Sequence, residues 1–221
     1  MSKLIALVGD TGSGKSHSIQ FLNPKETYII NVADKDLPFK GSSELYNRDL
    51  KNCKVAEDAT EIQRLLQTLS DTALHIKNII IEDANYIMGF SLVAKATEVG
   101  YTKFSLMAQQ MVNLVKAAKK LRDDLTIVYI SHQEEVEDSG EITTYKMKTA
   151  GKMIDSQIKL EGLFTVVLYA ITETKGEKTD YFFITNKYKK YPAKSPMGMF
   201  VEVKIPNNLE NVIKSVNEYY I

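Results

Sequence analysis

The hydrophobic pattern of the first 130 residues predicts strands that alternate with helices. Four short apolar runs have the character of strands buried on both faces of a parallel sheet: residues 3–8, 28–32, 77–81 and 125–130. Between them, apolar residues recur at helical spacing after Asp58 and over residues 101–122. A further helix should begin at Gly14 or Lys15. This order is typical of an α/β protein with a doubly wound sheet.

The pattern changes after residue 130. Residues 133–152 are polar without a clear period, which indicates either a functional loop or a mobile hairpin. Alternating or apolar segments predict an antiparallel hairpin and one more short strand, at residues 163–171, 180–186 and 200–205. Apolar residues at helical spacing predict a final helix at about 207–220 that packs on the core. We therefore expect residues 1–221 to form a single domain, in which an antiparallel hairpin extends a mainly parallel sheet.

Composition limits the classes of protein to which the chain can belong. Lys plus Arg and Asp plus Glu each total 28, so the whole molecule has no field that would attract a polyanion unaided. The single cysteine, Cys53, excludes an internal disulfide and a cysteine-built metal site. No apolar run approaches the roughly 20 residues of a membrane span, and no signal-peptide pattern precedes the first strand. We expect a cytoplasmic protein with no membrane partner.

The segment after the first strand carries the strongest chemical signal. It fits the phosphate-binding loop (P-loop) G-x-x-x-x-G-K-[ST], and it lies between an apolar strand and a helix, as that motif requires. In such a loop, glycines let backbone N–H groups point at phosphates, Lys15 would reach the β- and γ-phosphates, and Ser16 would ligate Mg²⁺. We predict that ATP and Mg²⁺ are bound by the loop and the residue after it: Gly9, Asp10, Thr11, Gly12, Ser13, Gly14, Lys15, Ser16 and His17.

Polar residues at the ends of other predicted strands should complete the site. Glu82 and Asp83 follow one strand, and since successive strand residues point to opposite faces, the two should have different tasks. We assign the Mg²⁺ contact to Asp83. Asp34 and Glu82 are both candidates for the group that activates water, and His132 for a γ-phosphate sensor. The predicted catalytic residues are thus Lys15, Asp34, Glu82 and His132, although exposed acids and a structural histidine are the alternative interpretation.

These motifs resemble a known family. The P-loop, the strand that ends in Glu82 and Asp83, and the strand that ends in Ser131 and His132 resemble the RecA-like P-loop NTPase core. More closely, the chain is similar to phage-encoded RecA-like ATPases, including the Sak-type annealing ATPases, over most of residues 1–205. The resemblance implies a doubly wound sheet with nucleotide at the carboxyl ends of its strands. It also implies an ATPase that acts in phage DNA recombination, single-strand annealing or replication, in the host cytoplasm.

The resemblance further implies two kinds of partner. In RecA-like proteins the loop after the fourth strand contacts single-stranded DNA, and residues 133–152 match that loop. Its second half interleaves an aromatic residue with cations that could track a backbone, although a solvated hairpin is the alternative: Tyr145, Lys146, Lys148 and Lys152. Many RecA-like proteins also complete the site with a cation from the adjacent subunit. That arrangement would require a homo-oligomer with ATP sites at its interfaces, and the candidates are Lys187, Lys189 and Lys190.

Two other functions stay open. Asp34 is one methylene shorter than the glutamate usual at its place in recombinases, so a nucleotide-switched adaptor or loader with little turnover is the first alternative. A small-molecule P-loop kinase is the second. Such kinases need a lid and several arginines around the transferred phosphoryl group, and this chain has no lid-like cluster among its three arginines: Arg48, Arg64 and Arg122.

Overall fold

The computed structural model describes residues 1–150 and 158–220. Within them the strands and helices are β1 (Lys3–Gly9), β2 (Thr27–Asn31), α1 (Ser42–Leu45), β3 (Cys53–Val55), α2 (Ala59–Thr72), β4 (Asn78–Glu82), α3 (Asn85–Ala94), α4 (Thr102–Lys119), β5 (Thr126–Asp138), β6 (Glu141–Met147), β7 (Val166–Lys175), β8 (Lys178–Ile184), β9 (Lys204–Pro206) and α5 (Leu209–Tyr219). Two short 3-10 helices cover Ser16–Phe21 and Leu160–Leu163.

One mixed sheet organises the fold. Its strand order is β3-β2-β4-β5-β1-β7-β8-β9, and β6 pairs with the outer part of β5. The pairs from β3 to β7 are parallel, whereas β8 and β9 continue the sheet in antiparallel pairing. The predicted fold class, a doubly wound and mainly parallel sheet with a C-terminal antiparallel extension, is confirmed. Because the parallel strands point to one edge, the residues that follow β1, β2 and β4 meet there beside His132, where the parallel pairing of β5 ends.

Helices cover both faces of the sheet. The alternation of β1 shows the division, since Ala6 packs in one core and Leu7 in the other. The first core also contains the buried stripes of α2 and α4, and the second contains α5 and the 3-10 helix after the P-loop. The predicted final helix packs on the core in this way. That residues 1–221 form one domain stays a prediction, although every strand that the structure describes joins the same sheet.

Side chains fix both ends of α2. The Asp58 carboxylate accepts hydrogen bonds from the backbone N–H groups of Thr60 and Glu61, each at 2.9 Å. At the other end, the Arg122 guanidinium donates to the carbonyl oxygen of Ser70 at 3.0 Å and to neighbouring carbonyls. These groups would otherwise lack partners, because helix ends leave backbone donors and acceptors free. Arg122 is therefore engaged in holding the fold.

Several segments differ from the predictions. The helix expected to begin at Gly14 or Lys15 forms as a six-residue 3-10 helix that begins at Ser16. Helix α3 was not predicted. The polar segment after residue 130 continues β5 to Asp138 and returns as β6, so the described part of 133–152 is mainly a hairpin. Residues 151 and 152, and with them the predicted DNA contact Lys152, lie outside the described residues.

Candidate active site

The P-loop begins at the carboxyl end of β1, in the middle of the sheet. Gly9 ends the strand, with His132 beside it on β5 and Ala170 on β7. The Lys15 side chain is buried inside the loop, where its Nζ donates to the carbonyl oxygens of Gly9 at 3.0 Å and Asp10 at 2.7 Å. Burial lowers the pKa of Lys15 to about 8, against the opposing effect of nearby carboxylates. The ammonium group therefore lies at the centre of the phosphate-binding motif.

The glycines of the loop are required by its geometry. Gly12 and Gly14 have φ angles of +76° and +86°, in the left-handed region that favours glycine. A Cβ atom on Gly14 would lie 2.7 Å from Cδ1 of Tyr181, and one on Gly9 would lie 2.7 Å from the carbonyl oxygen of Ala170. Neither distance is compatible with a real Cβ atom. A side chain at Gly9 or Gly14 would therefore force the loop or its neighbours to shift, whereas at Gly12 only the backbone conformation favours glycine.

Glu82, the last residue of β4, contacts the hydroxyl group of Ser16. The Ser16 Oγ donates a hydrogen bond to Glu82 Oε1, while Oε2 is buried and has no hydrogen-bond partner among the described residues. Burial raises the pKa of Glu82 to about 7, and the hydrogen bond from Ser16 opposes that shift only in part. A buried carboxylate oxygen without a partner, next to a serine hydroxyl, is a donor set suited to a hard divalent cation.

Asp83 lies at a different part of the carboxyl edge of the sheet. It has a φ of +57° and lies in the turn between β4 and α3, and its side chain is only 2% exposed. One carboxylate oxygen pairs with the Lys35 ammonium, and the other lies 3.5 Å from Nε2 of His132. Burial alone would raise the pKa of Asp83, but the hydrogen bonds from His132 and Lys35 outweigh it and hold the pKa below its usual value. Asp83 is therefore ionised at neutral pH.

His132 is fixed by three elements. Its backbone N–H donates to Asn85 Oδ1 at 3.0 Å, and its carbonyl oxygen accepts from the Lys148 N–H at 2.8 Å. The ring meets the Tyr86 ring edge to face, with the centroids 6.0 Å apart. His132 thus connects the carboxylate of Asp83 to the hairpin that begins after it.

Lys15, Ser16, Asp83 and His132 line one cleft of about 380 Å³ at the carboxyl edge of the sheet, whereas the buried Glu82 is connected to it through Ser16. The walls of the cleft come from the P-loop, from the segments after β2 and β4, from β5 itself and from β8: Thr11, Gly12, Gly14, Lys15, Ser16, His17, Lys35, Pro38, Asp83, His132 and Tyr181. The cleft brings two lysines and a buried carboxylate together beside the Ser16 hydroxyl. Such a mixture can bind a polyanionic phosphate chain and a cation.

The sequence comparison agrees with this geometry. Residues 2–197 match the family described as AAA domain. The chain belongs to the AAA domain family. Members of this family are generally P-loop ATPases, and the motif and its cleft have that character here. No curated protein matches the chain. Among solved structures, a KaiC-like protein from the hyperthermophilic archaeon Pyrococcus horikoshii OT3 has 12% identity and a TM-score of 0.48, over 85% of this chain and 80% of that one.

The structure places two of the predicted residues away from where the sequence suggested. Glu82, and not Asp83, contacts the Ser16 hydroxyl. Asp34 is exposed and lies on a separate cleft of about 220 Å³ beside β3, and it does not line the cleft of the P-loop. Lys35, the residue after Asp34, lines the cleft of the P-loop instead.

Three residues of the cleft were missed by sequence reasoning: Lys35, Pro38 and Tyr181. Lys35 belongs to no motif, and its only signal is a position just after the second strand, one residue beyond the acid that was chosen. Tyr181 comes from β8, far along the chain, and it reaches the P-loop because β8 joins the sheet beyond β7. No local pattern indicates such a long-range contact.

The predicted partner-binding residues of the AAA domain lie away from the cleft. Tyr145 on β6 stacks on Tyr191 with centroids 4.8 Å apart, and Lys146 lies 3.6 Å from Glu134 across the hairpin. Lys148 is exposed. The three lysines proposed to act across an interface are exposed in the segment between β8 and β9, and none of them lines the cleft: Lys187, Lys189 and Lys190. Among the described helices, none is long and apolar enough to cross a membrane.

Proposed function

We propose that this AAA domain is a Mg²⁺-dependent ATPase that binds ATP in the cleft of the P-loop. The contact between the Ser16 hydroxyl and the buried Glu82 carboxylate carries the proposal. It joins the P-loop to the end of β4, where a nucleotide-bound metal needs a carboxylate. Lys15 lies within the same loop and supplies a cation for the β- and γ-phosphates. The other loop residues offer backbone N–H groups to the phosphates.

The residues fit a magnesium ion better at Glu82 than at Asp83. Ser16 and Glu82 would hold it, since the Ser16 hydroxyl contacts Glu82 directly, whereas the two oxygens of Asp83 face Lys35 and His132. When bound, Mg²⁺ supplies positive charge that neutralises the phosphate oxygens in the transition state. No cluster of three or more metal-ligating side chains occurs among the residues that the structure describes. This agrees with a metal that also takes ligands from phosphate and water.

Asp83 is the residue we assign to the attacking water. Its carboxylate stays ionised, so it can accept a hydrogen bond from water and fix its orientation. A lowered pKa makes it a weak base, so we expect it to orient the water more than to deprotonate it. His132 holds one of its oxygens and would act through Asp83, as well as toward the γ-phosphate. Asp34 has no part in this proposal, because it lies outside the cleft.

Action on DNA is the finer part of the proposal, and it rests on the sequence resemblance. In its support, His132 is bonded through its carbonyl oxygen to Lys148, so a change at the cleft has a covalent and hydrogen-bonded path into the β5–β6 hairpin. We infer that ATP controls a contact of this hairpin with single-stranded DNA in phage recombination, annealing or replication. A homo-oligomer and the host cytoplasm remain predictions from the same resemblance.

One observation favours the adaptor with little turnover as second candidate. Lys35 pairs with Asp83, and a carboxylate engaged in this way is less available to water. The kinase is disfavoured, because Arg122 is engaged at the end of α2 and Arg48 lies on the separate cleft beside β3. Neither arginine can serve a transferred phosphoryl group from there.

Steady-state ATP hydrolysis with Mg²⁺, measured with and without single-stranded DNA, tests the proposal. Lys15→Ala is the blank, Asp83→Asn should lose turnover while it still binds ATP, and Asp34→Asn is the matched control that should keep both. Loss of activity in Asp34→Asn with activity retained in Asp83→Asn would contradict the assignment. Stimulation by DNA would support the recombination role, and tight ATP binding without turnover would support the adaptor.

A further inference from the structure

Lys35 is the cation that contacts the proposed water-orienting carboxylate. Its ammonium pairs with Asp83, and both residues line the cleft that contains Lys15. The Lys35 side chain is 50% exposed, whereas that of Asp83 is 2% exposed. The pair therefore has one buried, fixed member and one member whose long side chain can leave toward the open cleft. An ion pair with one mobile partner allows an incoming ligand to take that partner away.

The backbone of Lys35 is held in place. The side chain of Asn31, the last residue of β2, donates from Nδ2 to the carbonyl oxygen of Lys35 at 2.7 Å and accepts from its N–H at 3.4 Å. Asn31 lies opposite Glu82 in the register of β2 and β4. Asp34, which lies between Asn31 and Lys35 in the chain, has a φ of +49°, in the left-handed region used in turns. The base of the Lys35 side chain is thus fixed to the strand next to β4, while its ammonium group is free to move.

We propose that Lys35 is a γ-phosphate sensor in cis: its ammonium group leaves Asp83 for the γ-phosphate of ATP and so releases the carboxylate for water. The proposal rests on the proposed ATPase function and names the residue that couples binding to it. A γ-phosphate offers Lys35 a second anion within the same cleft, and charge-assisted bonds to phosphate oxygens compete with those to a carboxylate. ADP lacks this group, so Lys35 stays on Asp83 when ADP is bound.

Asp83 keeps a partner after the exchange. His132 Nε2 lies 3.5 Å from its other oxygen, so the buried carboxylate is not left alone when the lysine leaves. This matters because an uncompensated buried charge is strongly unfavourable. The exchange also explains how a site can hold its acid engaged with a lysine and still hydrolyse ATP: the substrate itself removes the lysine.

Calorimetric titration with Mg²⁺ and either ADP or the non-hydrolysed analogue AMP-PNP tests the proposal. Lys35→Met should weaken the binding of AMP-PNP by about 3- to 10-fold, less than the worth of a whole hydrogen bond between charged groups, because the wild-type lysine gives up its bond to Asp83 as it binds the γ-phosphate; ADP binding should stay within about twofold. Lys35→Arg should restore most of the preference for the triphosphate. Lys40→Met is the control, since Lys40 is an exposed lysine of the same connection that does not line the cleft.

The outcomes separate this inference from the proposed function. If the wild-type protein binds neither nucleotide, both are wrong. If it binds and hydrolyses ATP while Lys35→Met binds AMP-PNP as well as the wild type does, only the sensor is wrong. Equal weakening of ADP and AMP-PNP in Lys35→Met, without rescue by arginine, would also overturn it, because that result describes a general structural role. Selective loss of AMP-PNP binding with rescue supports the sensor.

Discussion

Replacing Glu82 by glutamine should stabilise the nucleotide-free protein, and by an amount that grows with pH. Burial raises the pKa of this carboxyl group from its usual 4.5 to about 7, so the folded state holds a proton that the unfolded state releases. The contribution of Glu82 to the free energy of unfolding is therefore complete at pH values below its pKa in the unfolded chain. That contribution is lost as the pH rises through its pKa in the folded protein. The full loss is about 3 kcal/mol, of which about 2 kcal/mol falls between about pH 5 and pH 8.

Urea unfolding at both pH values, without nucleotide and with a chelator, measures this effect. Glutamine keeps the acceptor for the Ser16 hydroxyl but carries no charge, so the difference between Glu82→Gln and wild type isolates the ionisation. Titration of groups that do not interact with Glu82 is common to both proteins and cancels in that difference. Glu57→Gln, at an exposed carboxylate, is the control and should show little change with pH. A stability difference for Glu82→Gln that does not vary with pH would refute the reasoning.

Three further substitutions test the structure around the cleft. Gly14→Ala should cost about 2 kcal/mol or more and weaken ATP binding, since it adds a clash with Tyr181 to backbone strain, whereas Gly12→Ala has open space and should cost about 1 kcal/mol; equal costs in thermal unfolding would contradict the clash. Asp58→Ala should cost about 1 kcal/mol in urea unfolding through loss of the N-cap of α2, with ATP hydrolysis unchanged. Arg122→Ala should cost about 2 kcal/mol at the other end of α2, and unchanged stability would show that its bonds contribute nothing.

The parts of the fold that could be predicted from sequence are those fixed by local pattern. The apolar runs of β1 and β4 are continuous because both faces of the sheet are covered, and Asp58 marks the start of α2 by its own hydrogen bonds. Helix α3 was not predicted, because its apolar residues do not form one clear stripe. The outer part of β5 was not predicted as a strand, because its residues are polar. It pairs with β6 beyond the parallel part of the sheet, where the strand needs no fully buried face.

The candidate site divides in the same way. The P-loop is a local motif, so its position and its glycines could be predicted. The alternation of a strand predicted that Glu82 and Asp83 separate, but not which of them turns toward Ser16, because that depends on how β4 lies against the P-loop. Lys35 and Tyr181 enter the cleft through tertiary packing alone.

The environments of Glu82 and Asp83 give the last prediction. Neighbouring carboxyl groups whose pKa values are pushed apart have different roles. Burial raises the pKa of Glu82 to about 7, so its carboxyl group is about half protonated at neutral pH. The partners of Asp83 lower its pKa and keep Asp83 ionised. A cation bound at Glu82 must therefore displace about half a proton at about pH 7. Calorimetry of Mg²⁺ and ATP binding in buffers with different ionisation enthalpies should show that release in the wild type but not in Glu82→Gln. Protons exchanged by ATP itself are common to the two proteins, so equal release from both would mean that the metal does not bind at Glu82.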